Sequence, residues 1–413
     1  MKYPFILFFI LLQLSLKSQT YDVLFLGNSY TFYNNMPSLV SAIADSFEDT
    51  LNFSSNTPGG WQLANHAEQN SSSLQAINQQ TWDYVVIQAQ SQEPSFPPIQ
   101  VEEQTYPAAE SLVQSILEND SCTEPMFFMT WGRKNGDAVN GVGYPTISTY
   151  QGMQSRLRNS YLEMGYDNNS SIAPVGMAWK RSIDENPDFE LYTADESHPN
   201  LAGSYLAACV FYSSMFKKSC VGSSFIPDGL DSIDVINLQT IASEVVLDST
   251  QVWNLFDVQS VEISNNGDEF DFNVLATNYD SITWDFGDGT VSNQTIVSHA
   301  FEANQEFEVT LSVYSKNGCD VIQTSHFIDT YNVSHVKEWD KISNVYPNPF
   351  SSHINLELNS LSTVELYNLN GELVFKQQLS QRVLDLTNQK VGAYFLRIIN
   401  DSEVETFKIF KSE

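Results

Sequence analysis

The chain has 413 residues, a length that predicts two or three domains, and its 42% hydrophobic content excludes a disordered protein. Its formal net charge of −31 excludes nucleic-acid partners, because such a polyanion repels phosphate backbones. Residues 341–413 contain 7 basic and 8 acidic side chains, so this nearly neutral tail is predicted to be a separate unit.

The first 18 residues have the pattern of an export signal. Lys2 supplies a positive start, and residues 4–16 form a largely apolar run interrupted by Gln13. That run is shorter than the about 20 residues needed to cross a bilayer. Residues 1–18 are therefore interpreted as a signal peptide, and the mature chain is expected to be secreted or on the cell surface, without a transmembrane segment.

Residues 19–255 alternate between short apolar runs and segments with helical spacing. This order predicts a three-layer α/β/α sandwich around a parallel sheet. Strands are predicted at 21–26, 82–87, 126–129 and 172–175, and helices at 36–47, 108–117, 150–164, 201–216 and 235–247.

The residues after 255 have a different pattern, which predicts two small all-β sandwich domains. Residues 257–331 consist of short alternating runs separated by Gly, Asn and Asp, and 345–413 repeat this pattern. Asn370-Gly371 is a strong hairpin turn in the second of them. Residues 332–344 are predicted to be the linker.

The four cysteines match no zinc pattern and are too few for a disulfide scaffold. Cys209 and Cys220 lie close in sequence, and an oxidised pair is possible there in an exported protein. Cys122 and Cys319 fall in different predicted domains and are interpreted as buried thiols.

Two separated segments supply what nucleophilic catalysis needs. Ser29 directly follows the first buried strand, and ligands bind at the carboxyl ends of strands in an open α/β sheet. Asp195 and His198 lie three residues apart on one tight turn, where the carboxylate would fix the imidazole and leave its other nitrogen facing Ser29. Each segment alone is weak, since a serine in a turn is ordinarily turn chemistry.

Polar donors follow the intermediate strands and could hold the oxyanion of a tetrahedral intermediate. Gly59-Gly60 lies in a turn that can present backbone N–H groups. Gln88, Gln90 and Gln92 follow the second predicted strand, and the residues alone do not decide between them.

A histidine and a possible metal site are the other candidates for chemistry. His66 has no carboxylate nearby and is interpreted as a partly exposed structural residue. The sequence contains no paired-histidine motif, so neither a metal nor another cofactor is predicted.

At these positions residues 20–255 resemble the SGNH (GDSL-type) hydrolases. The family's blocks correspond here to GNSYT at 27–31, TPGGWQL at 57–63, WDYVVIQAQSQEP at 82–94 and ADESHPNLAGSYLAA at 194–208. The resemblance implies Ser29 as nucleophile, His198 as general base and Asp195 as its orienting carboxylate. It also implies an oxyanion hole lined by the Ser29 and Gly60 N–H groups.

The chain departs from the family pattern at two positions. Asn28 replaces the usual Asp before the nucleophile, and Gln92 stands where an Asn should complete the oxyanion hole. The longer Gln92 side chain leaves Gln88 and Gln90 as alternatives. Trp131 and Arg133, after another strand end, are predicted to line the substrate pocket together with Asn28, Gln88 and Gln90.

The two β domains also resemble known modules. Residues 284–290, WDFGDGT, resemble the marker of a PKD domain, and the YPNP start at 346–349 resembles the C-terminal sorting domain of type IX secretion substrates. These likenesses imply the type IX secretion machinery as a partner. Together with the hydrolase likeness they predict a secreted serine esterase that acts on short acyl esters, with acetylated polysaccharide as the expected substrate. The alternative is a non-catalytic surface protein that binds carbohydrate or mediates adhesion on a degenerate hydrolase fold.

Overall fold

The computed structural model describes residues 18–265, 269–330, 345–356, 362–368, 373–379, 383–399 and 404–412. The chain divides into two compact units, one ending at Thr330 and the other beginning at Tyr331. Apart from Ser18, the predicted signal peptide lies outside the described residues, as does the predicted linker at 332–344. None of the helices in the described ranges is long and apolar enough to cross a membrane.

A parallel five-stranded sheet forms the middle of the first unit, in the order β2-β1-β3-β4-β5. The predicted α/β fold class is confirmed. β2 was missed because it is a polar edge strand that buries only its leucine, Leu51. The strands are β1 Thr20–Leu26, β2 Thr50–Asn56, β3 Tyr84–Ile87, β4 Glu124–Phe128 and β5 Ser171–Ala173.

The helices pack in two groups, with α2, α8, α9 and α10 in contact with one another and α3, α4 and α6 in contact with one another. α9 follows the turn that contains Asp195 and His198, and it is buried on all sides. The helical spacing of its apolar residues had indicated a helix with only one apolar face. The helices are α1 Ser29–Phe32, α2 Met36–Asp45, α3 Leu63–Ala67, α4 Ser72–Ile77, α5 Pro98–Gln104, α6 Tyr106–Asn119, α7 Tyr150–Asp167, α8 Val175–Glu185, α9 Leu201–Phe216 and α10 Ser232–Leu247.

The strand order reverses between β1 and β3. From β1 the chain moves outward to β2 and then returns to the opposite side of β1 to form β3. In doubly wound sheets, the crevice at such a reversal is where ligands bind. Ser29 follows β1 and Gln88 follows β3, so both lie at this crevice.

The second part of the first unit is a β-sandwich of a three-stranded and a four-stranded sheet, ordered β10-β7-β6 and β12-β11-β8-β9. Its core is largely aromatic and aliphatic, with Phe272, Trp284 and Phe286 at its centre. The strands are β6 Asp257–Asn265, β7 Phe270–Thr277, β8 Tyr279–Asp285, β9 Val291–Ser292, β10 Ile296–His299, β11 Glu306–Ser315 and β12 Val321–Asp329.

The second unit also contains two antiparallel sheets, ordered β13-β14-β17 and β16-β15-β18-β19. β15 and β16 pair as the predicted hairpin, although the Asn370-Gly371 turn lies outside the described residues. The strands are β13 Val345–Tyr346, β14 His353–Leu356, β15 Ser362–Asn368, β16 Leu373–Leu379, β17 Val383–Asp385, β18 Gly392–Ile399 and β19 Val404–Lys411.

The cysteine prediction is wrong. A disulfide joins Cys122, before β4, to Cys319, between β11 and β12, across 197 residues of sequence. Cys209 and Cys220 are free and buried, and the Cys220 thiol donates to the carbonyl of Gln239. The sandwich loop reaches the α/β domain, which sequence separation could not indicate. Closing a loop of this length stabilises a fold by about 5 kcal/mol on the chain-entropy estimate.

Hydrogen bonds reinforce this attachment of the sandwich to the α/β domain. Lys316 donates to Asn169 Oδ1 at 2.7 Å, and Asn278 donates to the carbonyl of Asn254 at 2.7 Å. Cys122 and Asn169 precede β4 and β5, so the sandwich is attached at the amino ends of the strands. Ser29 lies at the opposite, carboxyl end of the sheet.

Candidate active site

Ser29, His198 and Asp195 form a continuous hydrogen-bonded chain. Ser29 Oγ lies 2.8 Å from His198 Nε2, and His198 Nδ1 lies 2.5 Å from Asp195 Oδ2. With its proton on Nδ1, the imidazole donates to the carboxylate and accepts from the serine hydroxyl. This is the arrangement in which a histidine can take a proton from a nucleophile.

The turn at residues 193–199, here called the Asp–His turn, holds the carboxylate firmly. Asp195 Oδ1 accepts from the backbone N–H groups of Ser197 and His198, both at 2.9 Å, and from the Thr193 hydroxyl at 2.8 Å. Partial burial raises the pKa of Asp195, but the hydrogen bonds from His198, Ser197 and Thr193 outweigh it and hold the pKa well below its usual range. Asp195 therefore stays ionised beside the imidazole.

Two tyrosines that follow Ser29 fix the imidazole ring. The Tyr33 ring stacks on His198 with centroids 4.4 Å apart, and Tyr30 approaches it edge-on at 5.4 Å. The Tyr30 hydroxyl is 2.7 Å from Ser197 Oγ, which ties the nucleophile segment to the Asp–His turn. Sequence reasoning missed both tyrosines, and their only signal was two aromatic residues within four positions of the serine.

Trp131 does not line an open pocket, contrary to the prediction. It is fully buried between the Tyr30 ring, at 4.6 Å, and the Trp179 ring, at 4.0 Å. Its indole N–H donates to the carbonyl of Ser197 at 3.0 Å. A buried indole N–H needs an acceptor, and the Asp–His turn provides it. Trp131 therefore supports the Asp–His turn through this hydrogen bond.

Asn28 and Gln88 are also buried and hold the nucleophile segment rather than facing a pocket. Asn28 N–H donates to Gln88 Oε1 at 2.9 Å, and the Asn28 side chain donates to the Trp61 carbonyl at 3.0 Å. Gln88 Oε1 also accepts from the Thr31 hydroxyl, while its amide donates to the Ala89 carbonyl. Both polar ends of Gln88 are occupied, so it is a poor candidate for an oxyanion donor.

The backbone donors predicted for the oxyanion hole are unoccupied. Within the ranges that the structure describes, neither the Ser29 nor the Gly60 N–H has a hydrogen-bond acceptor. Gly60 has a φ of +74°, a conformation that favours glycine, and it lies in the turn that Asn28 binds through Trp61. Both N–H groups therefore remain available to a ligand.

The glutamines after β3 are coupled to an aspartate that the sequence did not indicate. Gln92 Nε2 donates to Asp137 Oδ2 at 2.5 Å, and Gln90 Oε1 accepts from the Gln92 N–H at 2.8 Å. Asp137 is buried and also accepts from Val139 and Asn140. Gln92 as the third oxyanion donor stays a prediction, and Asp137 competes for its amide.

His66 is fully buried, not partly exposed as predicted. Its Nε2 lies 3.1 Å from the Gly27 carbonyl and its Nδ1 2.5 Å from Ser73 Oγ, so it braces the turn before the nucleophile. Burial lowers the pKa of His66 to about 4, which keeps the ring neutral. These contacts could not be predicted from the sequence pattern, because Ser73 is seven residues from His66 and Gly27 is 39 residues away.

Glu93 is a second buried titratable group next to the site. Burial raises its pKa to about 7, although hydrogen bonds from the backbone of Gln90 and Leu63 act in the opposite direction. The bond from Leu63 connects the segment after β3 with the start of α3. Glu93 Oε2 is buried and has no partner among the described residues.

Arg133 is half-buried in the loop after β4, and its backbone N–H contacts Met153 Sδ at 3.4 Å. No group of three or more His, Cys, Asp or Glu side chains that could hold a metal ion occurs within the described ranges.

Two segments of the chain match known domain families. Residues 256–328 match the PKD domain, and residues 344–412 match the secretion system C-terminal sorting domain. Both resemblances seen in the sequence are therefore confirmed. None of the curated proteins compared with the chain has a matching sequence.

Several solved structures resemble parts of the chain. A DUF4886 family protein from Bacteroides uniformis is 18% identical, covers 55% of this chain and 95% of its own, and has a TM-score of 0.47. A candidate SGNH hydrolase from Slackia heliotrinireducens is 27% identical, covers 47% of this chain and 98% of its own, and has a TM-score of 0.39. The PKD1 domain of a Vibrio cholerae metalloprotease is 25% identical, covers 17% of this chain and 94% of its own, and has a TM-score of 0.16.

The structural neighbours over the N-terminal half include proteins described as an SGNH hydrolase and a GDSL-like lipase. After the α/β domain in sequence, the chain carries a PKD domain and a secretion system C-terminal sorting domain.

Proposed function

We propose that this protein is a secreted serine esterase that removes short acyl groups through an acyl-enzyme. The observation that carries the proposal is the hydrogen-bonded chain from Ser29 through His198 to Asp195. It lies at the crevice where the strand order reverses, the position at which α/β sheets bind ligands.

In the acylation step, Ser29 Oγ attacks the carbonyl carbon of the ester while His198 Nε2 takes the hydroxyl proton. Asp195, kept ionised by its hydrogen bonds, stabilises the imidazolium that forms. The C–O bond to the alcohol then breaks, and the leaving alkoxide takes the proton from His198. The acyl group remains on Ser29.

In the deacylation step, a water molecule gives its proton to His198 and attacks the acyl carbon. Collapse of the second tetrahedral intermediate returns the proton to Ser29 Oγ and releases the carboxylic acid. Both intermediates carry a negative oxygen, and the unoccupied N–H groups of Ser29 and Gly60 are suited to bind it.

The substrate proposed is an O-acetyl ester on a polysaccharide. Three aromatic residues stand beside the nucleophile: Phe32 is exposed, and Tyr33 and Trp61 are half-buried. Flat aromatic faces of this kind can pack against the apolar faces of sugar rings. The PKD domain and the sorting domain are consistent with an enzyme that acts on material outside the cell.

The experiment that tests the esterase is hydrolysis of a chromogenic acetate by the purified protein and by Ser29→Ala. A burst of chromophore followed by slower turnover is expected from the wild-type protein and is expected to vanish in the variant. Ser115→Ala is the matched control and should keep full activity, because the Ser115 hydroxyl donates only to the carbonyl of Ser111 within helix α6. If the wild-type protein is inert and yet binds glycans, the adhesion alternative is correct.

The destination is proposed to be the cell surface or the medium, through the type IX machinery. The sorting-domain match at residues 344–412 supports this. Deletion of 341–413 in the natural host should leave active esterase that accumulates in the periplasm. Unchanged export of the deleted protein would overturn the assignment.

A further inference from the structure

The Arg133 guanidinium has no protein partner although part of it is shielded from water. Its Nε is buried without an acceptor, and none of its other nitrogens donates to any residue in the described ranges. A buried donor left without an acceptor lowers the stability of the fold, and the cost is larger for a charged group. The chain has only 19 Lys and Arg residues against 50 Asp and Glu residues, so an arginine without an acidic partner is unexpected.

The loop that carries Arg133 is fastened to the Asp–His turn. Trp131 donates to the Ser197 carbonyl at 3.0 Å, the backbone N–H of Lys134 donates to the Glu196 carbonyl at 3.0 Å, and the Tyr192 hydroxyl donates to the Gly132 carbonyl at 2.6 Å. These bonds lie on both sides of Arg133. The loop segment that carries Arg133 is therefore held to the turn that carries His198.

Electrostatics place the Arg133 charge near both sides of the proposed site. Burial raises the pKa of the Tyr30 hydroxyl, and the positive charge of Arg133 opposes that rise. Arg133 also helps to hold the pKa of Asp137 low. The guanidinium thus lies within range of Tyr30, whose ring contacts His198, and of Asp137, which binds Gln92.

Asp137 does not use the hydrogen-bonding capacity of Arg133. Its Oδ1 accepts from the backbone N–H groups of Val139 and Asn140, and its Oδ2 accepts from the side chains of Asn140 and Gln92. The neighbouring cation Lys134 is paired with Glu190. The guanidinium N–H groups of Arg133 are therefore unpaired among the described residues, on a loop that is bonded to the Asp–His turn.

We infer that Arg133 binds a carboxylate of the substrate, so that the enzyme selects acetyl esters of acidic sugars over those of neutral ones. This inference rests on the proposed esterase function. The planar N–H fork of a guanidinium matches the two oxygens of a carboxylate. Because an acetyl group has no charge, the carboxylate belongs to the sugar that is deacetylated.

The test compares two acetylated oligosaccharides of one backbone, one with its uronic carboxylates intact and one with them reduced to alcohols. The wild-type protein should hydrolyse the acidic ester with a kcat/KM about 10- to 100-fold higher, the range expected for charged hydrogen bonds. Arg133→Met should remove this preference, by lowering kcat/KM for the acidic ester about 10-fold or more relative to kcat/KM for the neutral ester. Arg133→Lys should keep part of the preference, because the charge remains without the fork.

The control variant is Arg181→Met, which removes an arginine that is ion-paired with Glu185 and Glu244 on the helical surface. It should retain the full preference. An equal loss on both esters in Arg133→Met would overturn the inference, because it would mean that Arg133 acts on the reacting carbonyl or on the fold.

A measurement on the unaltered protein keeps the inference testable if Arg133→Met fails to fold. The deacetylated acidic oligosaccharide should inhibit hydrolysis of a neutral chromogenic acetate, whereas its carboxyl-reduced counterpart should inhibit at least about 10-fold more weakly. Equal inhibition by the two would contradict carboxylate binding. If the wild-type protein hydrolyses no ester at all, the proposed function fails instead.

Discussion

The α/β domain and the β-sandwich each hold a histidine against an aspartate. In the α/β domain, His198 directs Nδ1 to Asp195 and Nε2 to Ser29. In the sandwich, His299 directs Nε2 to Asp288 at 2.7 Å, and the Thr290 hydroxyl lies 3.4 Å from that same nitrogen. A proton relay needs the carboxylate and the hydroxyl on different ring nitrogens, and only the first pair meets that condition.

The surroundings of the second pair suggest what it does instead. His299 stacks on Phe286 with centroids 4.0 Å apart, and Asp288 accepts from both the N–H and the hydroxyl of Thr290. These contacts close the turn that follows Trp284 in the sandwich core. Contact between an aspartate and a histidine is therefore not a sign of catalysis unless the other ring nitrogen reaches a nucleophile.

Removing one histidine at a time should have the largest effect and tests whether only His198 is needed for turnover. His198→Ala should lower turnover about 10³-fold or more, and combining it with Ser29→Ala should cost little extra, because the residues of a triad act as a unit. His299→Ala should leave turnover unchanged. Steady-state kinetics on a chromogenic acetate measures all three, and a comparable loss in His299→Ala would refute the contrast.

Neutralising each aspartate tests whether the carboxylate beside each histidine contributes to turnover. Asp195→Asn should lower kcat by about 10²–10⁴-fold, because an amide can no longer fix the tautomer or stabilise the imidazolium. The matched change Asp288→Asn should not affect kcat. Equal activity of the Asp195→Asn protein and wild type would show that the ionised carboxylate is not needed.

The proposed site also differs from the sandwich pair in having a predicted oxyanion hole. Loss of one such donor typically lowers turnover about 10²-fold, so Gln92→Ala should do this with little change in KM. Gln90→Ala should have a smaller effect. If Gln90→Ala proves the more damaging of the two, the alignment of the segment after β3 is wrong by two residues; if both are silent, the hole consists of backbone N–H groups alone.

A third histidine, His66, is buried without a carboxylate, and its pKa is lowered by burial to about 4 from 6.5. The stability linked to it is complete above pH 6.5 and is lost as the pH falls through 4, by about 3 kcal/mol. Glu93 acts in the opposite direction, with burial raising its pKa to about 7 from 4.5. Its contribution is complete below pH 4.5 and is lost as the pH rises through 7, by a similar amount.

These two buried groups should largely cancel between pH 4.5 and 6.5. Glu93→Gln should therefore make stability depend more steeply on pH in the acidic direction, because His66 then titrates alone. His66→Gln should reveal the reverse slope. Urea unfolding between pH 4 and 7.5 measures both, and identical profiles for the variants and the wild-type protein would contradict the assignment.

The smallest expected effect on turnover comes from the bond that joins the two regions. Cys122→Ser together with Cys319→Ser should lower the free energy of unfolding by about 2–5 kcal/mol, since removing a native disulfide typically costs that much. Turnover on a small soluble ester should be unchanged, because the bond lies at the amino ends of the strands. A large loss of turnover in a variant that is still folded would mean that the sandwich supports the site.

The sequence predicted those parts of the fold whose burial leaves a pattern. Central strand β3 is buried at every position and β1 over its last four residues, and both have apolar sequences there. Edge strand β2 exposes most of its residues, and α8 is rich in charged residues, so neither showed a clear signal.

The triad could be predicted because Ser29 follows a predicted strand and because the sequence blocks around the three residues resemble those of a known family. The direction in which a side chain points could not be predicted from the sequence. Gln88 turns back to bind Asn28, and Trp131 lies under the Asp–His turn, because tertiary packing decides where such groups find partners. The Cys122–Cys319 bond escaped prediction for the same reason, since it depends on where the sandwich sits against the α/β domain.

That disulfide makes a covalent ring of residues 122–319, which contains Asp195 and His198, while Ser29 lies on the arm that precedes it. A protease that cuts the backbone once anywhere inside the ring opens it without releasing either piece. The two halves of the proposed triad would stay in one molecule after such a nick, and gel electrophoresis would separate the fragments only after a thiol is added. For a protein that carries a secretion sorting domain, tolerance of a single cut is a form of durability distinct from resistance to unfolding.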